Sequence, residues 1–102
     1  DVEKSETDKP FDLYIFLRKS NAVVTIQVKT KLLSEPRVTF NFNKYKNNDF
    51  SMACCVLLEE QRLLFSPGVP TEGYITYQLN DFYNIDNQKS FFDALTNLSL
   101  EV

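Results

Sequence analysis

Few side chains in this sequence could take part in covalent or metal chemistry, and their spacing matches no catalytic pattern. The chain has no histidine, which removes the commonest general base and the commonest zinc ligand. Cys54 and Cys55 are adjacent. In a strand they would point to opposite faces, where they are poorly placed to share a disulfide or a metal ion. We interpret them as small buried apolar residues, typical of a reducing, intracellular compartment.

The carboxylates and glycines also match no catalytic or phosphate-binding pattern. Glu59 and Glu60 are neighbours, and Asp81 and Asp86 fall on predicted turns, where isolated carboxylates are normally solvated. The two glycines stand alone, without the following Lys-Ser/Thr of a loop that cradles phosphate. The sequence therefore predicts no enzyme activity, no catalytic residue, no cofactor and no metal site.

The charge is divided along the chain. The net charge is -3 overall, but residues 11–46 carry seven cations and two carboxylates, a net +5, whereas residues 47–102 sum to -6. Opposite charges at the two ends of a small domain favour docking with a second copy or a charged partner. The predicted contact residues are Tyr14, Phe16, Arg18, Lys29, Lys31, Arg37, Lys44 and Lys46. The simplest alternative is that the cations form the solvated side of a sheet and protect its edge.

Residues 11–31 predict the element that positions these side chains, a pair of strands folded back across residues 18–22. In the second strand Val24, Ile26 and Val28 alternate with polar or charged residues, as in a half-buried strand. The first strand has large apolar side chains on both faces, because Tyr14 and Phe16 lie opposite its leucine and isoleucine row. Either the C-terminal helix or another chain should cover that second face.

The rest of the chain predicts further strands and one helix. The strands are expected at 37–44, 50–58, 62–66 and 74–79. Residues 50–58 are apolar on both faces and predict the central strand. Residues 1–10 are charged and predict a flexible leader before a single domain over 11–102.

A helical period follows the last predicted strand. Phe91, Phe92, Leu95 and Leu98 share one helical face. Asn84 or Asp86 is the expected N-cap, and the helix should cover the second face of 50–58 and the row of Tyr14 and Phe16. The fold predicted is α+β, an antiparallel β-meander of about six strands with one C-terminal amphipathic helix packed on the sheet.

The C-terminal third also resembles a known family. The residues concerned are Phe50-Ser51-Met52, Tyr77-Gln78-Leu79-Asn80 and Asn84-Ile85-Asp86, leading into Phe92-Asp93-Ala94-Leu95. They are similar to the late strands and the start of the C-terminal helix in the mitochondrial acidic matrix protein (mitochondrial glycoprotein) family. The resemblance implies a trimer, a non-enzymatic binding or chaperone-like role, and the mitochondrial matrix. That family's N-terminal helix and long acidic loops are missing here, and RWD-type scaffold modules show a similar pattern.

Three functions follow from these observations. The first is a protein-interaction module that self-associates or docks a protein partner through the sheet. The alternative is a nucleic-acid-binding domain that uses the basic strand face of residues 18–46, with an affinity that falls steeply as salt is added. A weaker alternative is an apolar ligand bound between sheet and helix. No apolar run approaches the roughly 18 residues of a membrane span, so no membrane partner is expected.

Overall fold

The computed structural model of this protein describes residues 2–4, 11–32 and 36–101. The elements, in chain order, are β1 (Val2–Lys4), β2 (Leu13–Leu17), β3 (Ala22–Lys31), β4 (Arg37–Asn41), β5 (Met52–Leu57), β6 (Arg62–Pro67), β7 (Tyr74–Gln78), a 3₁₀ turn (Leu79–Asp81), β8 (Tyr83–Asn84) and α1 (Lys89–Asn97). The α+β class and the C-terminal helix packed on the sheet are confirmed. β1 lies inside the segment expected to be a leader, and the rest of that segment is outside the described residues.

The main sheet has the strand order β1-β2-β3-β5-β6-β8. The predicted hairpin is confirmed, since β2 and β3 pair antiparallel with Tyr14 opposite Thr25 and Phe16 opposite Val23. β5 is central, as its two apolar faces predicted. It pairs antiparallel with β6 but parallel with β3. The sheet is therefore mixed rather than a simple antiparallel meander.

The connection from β3 to β5 explains this difference. Two parallel neighbours cannot be joined by a tight turn and need a crossover. Here the crossover contains β4, which leaves the main sheet and pairs with β7 in a separate two-stranded sheet. This small sheet covers one face of β5, and α1 covers the other.

Two hydrophobic cores result, one on each side of the main sheet. Between the two sheets lie Val38, Phe40, Phe42, Phe50, Ala53, Cys55, Leu57 and Phe82. Under the helix lie Leu17, Val24, Ile26, Met52, Cys54, Ala94 and Leu95. The adjacent cysteines thus belong to different cores, as their opposite directions in a strand require. No helix within the described parts of the chain has the length and apolar character needed to cross a membrane.

The helix differs from the prediction at its start and in what it covers. Asn84 belongs to β8, and a turn over residues 84–87 separates it from the helix, whose N-cap is Gln88. The Asn87 side chain instead accepts a hydrogen bond from the Lys89 amide at 2.9 Å. The helix covers the leucine and isoleucine side of β2. The prediction that it covers the row of Tyr14 and Phe16 was wrong, because that row points to the opposite face.

A buried hydroxyl ties α1 to β6, and its removal should lower stability measurably. Ser90 is 3% exposed, and its Oγ accepts a hydrogen bond from the Phe65 amide at 3.1 Å. Ser90→Ala would leave that amide without its acceptor, so we expect the free energy of unfolding to fall by about 1–3 kcal/mol. Urea denaturation measures this. Ser99→Ala, at an exposed serine, should change stability by less than about 0.5 kcal/mol, and equal losses would contradict the role of the Ser90 bond.

Candidate nucleic-acid interface

The side of the β2–β3 hairpin opposite the helix forms a partly exposed surface of polar and apolar side chains, which we call the open face. It carries Asp12, Tyr14 and Phe16 from β2 and the residue before it, and Val23, Thr25, Gln27, Lys29 and Lys31 from β3. Phe16 is 38% exposed and Val23 is 55% exposed. The period of two in β3 produces this surface, because each residue that faces the helix core is followed by one that faces away.

Three of the predicted cations gather at one end of the open face, and we call them the lysine cluster. Lys29 Nζ lies 5.1 Å from the Tyr45 ring centre, and Lys44 Nζ lies 5.3 Å from the same ring. Lys31 Nζ lies 5.9 Å from the ring centre of Phe40. Ammonium groups at this distance from aromatic rings are attracted by the ring electrons. Lys29 and Lys44 are therefore held against one ring, and Lys31 extends from the same side of β3 as Lys29.

Two of the other predicted cations lie apart from the lysine cluster. Arg18 is in the β2–β3 turn, at the far end of the hairpin from Lys31. Arg37 begins β4 and points away from the core. The predicted basic surface is thus divided. Arg18 and Arg37 lie apart from Lys29, Lys31 and Lys44, whereas Lys46 lies two residues beyond Lys44 in the loop after β4.

Sequence reasoning missed a hydrogen-bonded polar pair beside the lysine cluster, the buried Gln27 and the exposed Asp12. Gln27 is 8% exposed, and its Nε2 donates to Asp12 Oδ2 at 3.0 Å and to the Val28 carbonyl oxygen at 3.3 Å. The same Asp12 oxygen accepts from the Val28 amide at 2.8 Å. A carboxylate oxygen and a carbonyl oxygen therefore lie within hydrogen-bond reach of one nitrogen. Lys29 follows two residues later in the same row of β3.

One sequence signal could have indicated this pair. Asp12 and Gln27 each occupy the outward row of their strand, and a turn over 18–22 sets them opposite each other. A search for acidic or histidine clusters misses them, because an amide is one of the partners. Indeed, no group of three or more His, Cys, Asp or Glu side chains that could hold a metal occurs within residues 11–32 and 36–101.

The cysteines are buried and should be unreactive. Burial raises the pKa of the Cys54 and Cys55 thiols to about 12. We expect negligible alkylation of the folded protein at mildly alkaline pH and complete alkylation after denaturation, measured by mass spectrometry. Because the folded pKa lies above the unfolded value of 9.0, the folded protein keeps protons that the unfolded chain loses. Stability should therefore fall as the pH rises from about 9 towards about 12. Rapid labelling of the folded protein would contradict this.

A surface hollow lies on the helix side of the sheet. It has a volume of about 340 Å³ and is lined mainly by Ile15, Leu63, Phe65, Ile85, Phe91 and Phe92. This is the place at which an apolar ligand between sheet and helix was predicted, and that function stays a prediction. The same is true of the protein-interaction module, of oligomerisation and of the intracellular location.

Comparison with solved structures shows a likeness of fold. The fold is similar to the solved structure of a bacterial homing endonuclease, I-Ssp6803I, with a TM-score of 0.57 and 17% sequence identity. The match covers 97% of this chain and 82% of that one. No family model matches the sequence, and no curated protein matches it. At this identity the likeness concerns the fold alone, and the resemblance to the mitochondrial family stays a prediction.

Proposed function

We propose that this protein is a nucleic-acid-binding domain that holds the phosphate backbone of DNA on the open face. The observation that carries the proposal is the lysine cluster, three ammonium groups held against the rings of Phe40, Phe42 and Tyr45. Clustered lysines beside aromatic rings are a typical electrostatic footprint for phosphate. The fold likeness to a protein that is by name an endonuclease adds support. This is the second of the functions that the sequence predicted, confined to a smaller part of residues 18–46.

The salt dependence of DNA binding tests the proposal. Each phosphate contact contributes about 0.9 to the slope of log affinity against log salt, so three lysines would contribute about 2.7. We expect the variant with Lys29, Lys31 and Lys44 all changed to Gln to lose at least about tenfold in affinity and about 2–3 units of slope. Fluorescence anisotropy with labelled DNA over a range of salt concentrations measures both.

Lys89→Gln is the matched control. Lys89 is an exposed lysine of α1 whose Nζ lies 2.7 Å from Asp93 Oδ2, and this hydrogen bond raises the pKa of Lys89. The control variant therefore removes a full positive charge that is remote from the open face, and it should bind DNA like the unchanged protein. An unaltered slope in the triple variant, or an equal loss in the control, would contradict the proposal.

Hydrolysis of a phosphodiester is a second candidate function, and the Asp12–Gln27 pair favours it. Rotation of the Gln27 amide by about 180° would bring Oε1 to the position of Nε2, beside Asp12 Oδ2 and the Val28 carbonyl oxygen. Oxygens of Gln27, Asp12 and Val28 would then lie next to one another. Mg²⁺ prefers such oxygens, and it is usually held by one or two carboxylates, waters and substrate phosphates. Only with the amide rotated in this way would these residues fit a single divalent cation, and the expectation of no metal and no enzyme stays a prediction.

The chain's own groups would have distinct roles in this reaction. Asp12 and Gln27 would hold the cation, which lowers the pKa of bound water and neutralises phosphate charge. Lys29 would place its ammonium group against the same phosphate and stabilise the charge that develops there. The remaining lysines of the cluster would position the backbone, as binding residues do in phosphoryl transfer.

A further inference from the structure

A hollow next to the open face has a lining unlike that of the lysine cluster. It has a volume of about 320 Å³ and is lined by Thr25, Asn47, Asn48, Phe50, Ser51 and Leu98, among others. Apolar side chains and an aromatic ring thus form part of the wall, and amides and hydroxyls form the rest. Planar heterocycles with polar edges are bound in sites of this composition.

The two asparagines are the polar groups that remain open to a ligand. The hydroxyls of Thr25 and Ser51 lie 3.1 Å apart and also bond each other's backbone amides. In contrast, the side chains of Asn47 and Asn48 are exposed, and neither has a hydrogen-bonding partner among residues 11–32 and 36–101. Each amide offers both a donor and an acceptor, which is what the edge of a nucleobase requires.

The loop that carries these amides is held in place at both ends. The Tyr45 and Phe50 rings stack edge to face, with centres 5.3 Å apart, and Phe42 packs against both of them. Within the loop, the Lys46 amide donates to Asp49 Oδ2 at 2.8 Å. Asn47 and Asn48 are therefore presented by a fixed turn, which reduces the entropy lost on binding.

The hollow also adjoins the proposed phosphate surface. Thr25 lines the hollow and is two residues from Gln27 on the same face of β3, a separation of about 7 Å. Lys44 and Lys46 both precede Asn47 in the same loop. A nucleotide whose phosphate lies near Lys29 and Gln27 would thus have its base close to the hollow.

From this juxtaposition we propose that the hollow binds one nucleobase of the nucleic acid held on the open face, with Asn47 and Asn48 bonded to its edge. The inference rests on the proposed DNA-binding function. A base inside a duplex is stacked on both sides and cannot enter a hollow, so the ligand must present an unpaired or flipped base. The preferred ligand is therefore single-stranded DNA or DNA with a locally open duplex.

Comparison of ordinary and base-free strands tests this proposal. The probes are fluorescent single-stranded 20-mers of dA, of dC and of dT, and a 20-mer in which every position is abasic, all at one salt concentration. We expect at least one base-containing strand to bind about tenfold tighter than the abasic strand. In the double variant Asn47→Ala/Asn48→Ala this difference should shrink at least about fivefold, while affinity for the abasic strand stays unchanged.

Two further variants separate this inference from the proposed function. Asn80→Ala removes an exposed amide that does not line the hollow, and it should retain the full preference. The triple lysine variant should weaken binding of every strand, the abasic one included. Equal affinity of the unchanged protein for base-containing and abasic strands would overturn the base site but leave backbone binding intact. The absence of binding to any strand at low salt would overturn the proposed function itself.

Discussion

Asp12→Ala is expected to reduce the proposed metal-dependent cleavage of DNA at least about 100-fold, because it removes the carboxylate hydrogen-bonded to Gln27. DNA affinity without the cation should stay equal or rise, since a negative charge leaves the lysine-bearing face. Nicking of supercoiled plasmid with Mg²⁺ or Mn²⁺ measures the first effect and anisotropy measures the second. Calorimetric titration with Mn²⁺ provides a readout independent of activity, in which the variant should lose the binding signal.

Asp12 also has a structural role, and a second variant separates the loss of stability from the loss of cleavage. Its Oδ2 accepts hydrogen bonds from the Val28 amide and from Gln27, so truncation to alanine should also cost about 1–2 kcal/mol of stability. Asp12→Asn keeps an oxygen for the Val28 amide and removes only the charge. We expect near-normal stability in this variant, with cleavage and Mn²⁺ binding still lost. Normal cleavage by Asp12→Asn would exclude the carboxylate from the reaction.

Asp86→Ala is the matched control for this series, because Asp86 is an exposed carboxylate on the turn before α1. It should leave cleavage, Mn²⁺ binding and DNA affinity unchanged. If the unchanged protein cleaves no DNA with any divalent cation, hydrolysis fails as a function. DNA binding would still stand on its own salt dependence.

The sequence predicts the elements of this fold better than their connections. Alternation in β3 and β4 and the two apolar faces of β5 locate strands directly, because the period of two reports which faces are buried. It does not report which strand lies alongside. The parallel pairing of β3 with β5 depends on packing between residues far apart in the chain, and so does the departure of β4 to pair with β7.

The candidate site shows the same limit at the level of side chains. The sequence predicts Lys29, Lys31 and Lys44 as contact residues from charge alone, because the excess of cations over residues 11–46 is visible without a structure. Which cations meet depends on where Phe40 and Tyr45 are placed by the second sheet, and Arg37 is carried away by that sheet. Asp12 and Gln27 become neighbours only through the register of the hairpin. Each one, read by itself, is an ordinary polar residue.

Phe42→Ala is expected to destabilise the protein by about 3–5 kcal/mol, the loss typical of a buried phenylalanine replaced by alanine. The Phe42 side chain is fully buried, and its ring lies 5.8 Å from Phe50 and 6.1 Å from Tyr45. A cavity there would also loosen Tyr45, the ring against which Lys29 and Lys44 lie. Urea denaturation measures the loss of stability, and the same variant should bind DNA more weakly at temperatures at which it remains folded.

Phe92→Ala is the matched control for Phe42→Ala, because it also removes an aromatic ring but one that is not buried in the core between the sheets. Phe92 is 42% exposed on the helix side and lies far from the lysine cluster in the fold. Its truncation should cost less than about 1.5 kcal/mol and should leave DNA affinity unchanged. Equal losses in the two variants would mean that the core between the sheets does not carry the stability we assign to it. A Phe42→Ala protein that is destabilised but binds DNA normally would show that the aromatic support of the lysines is dispensable.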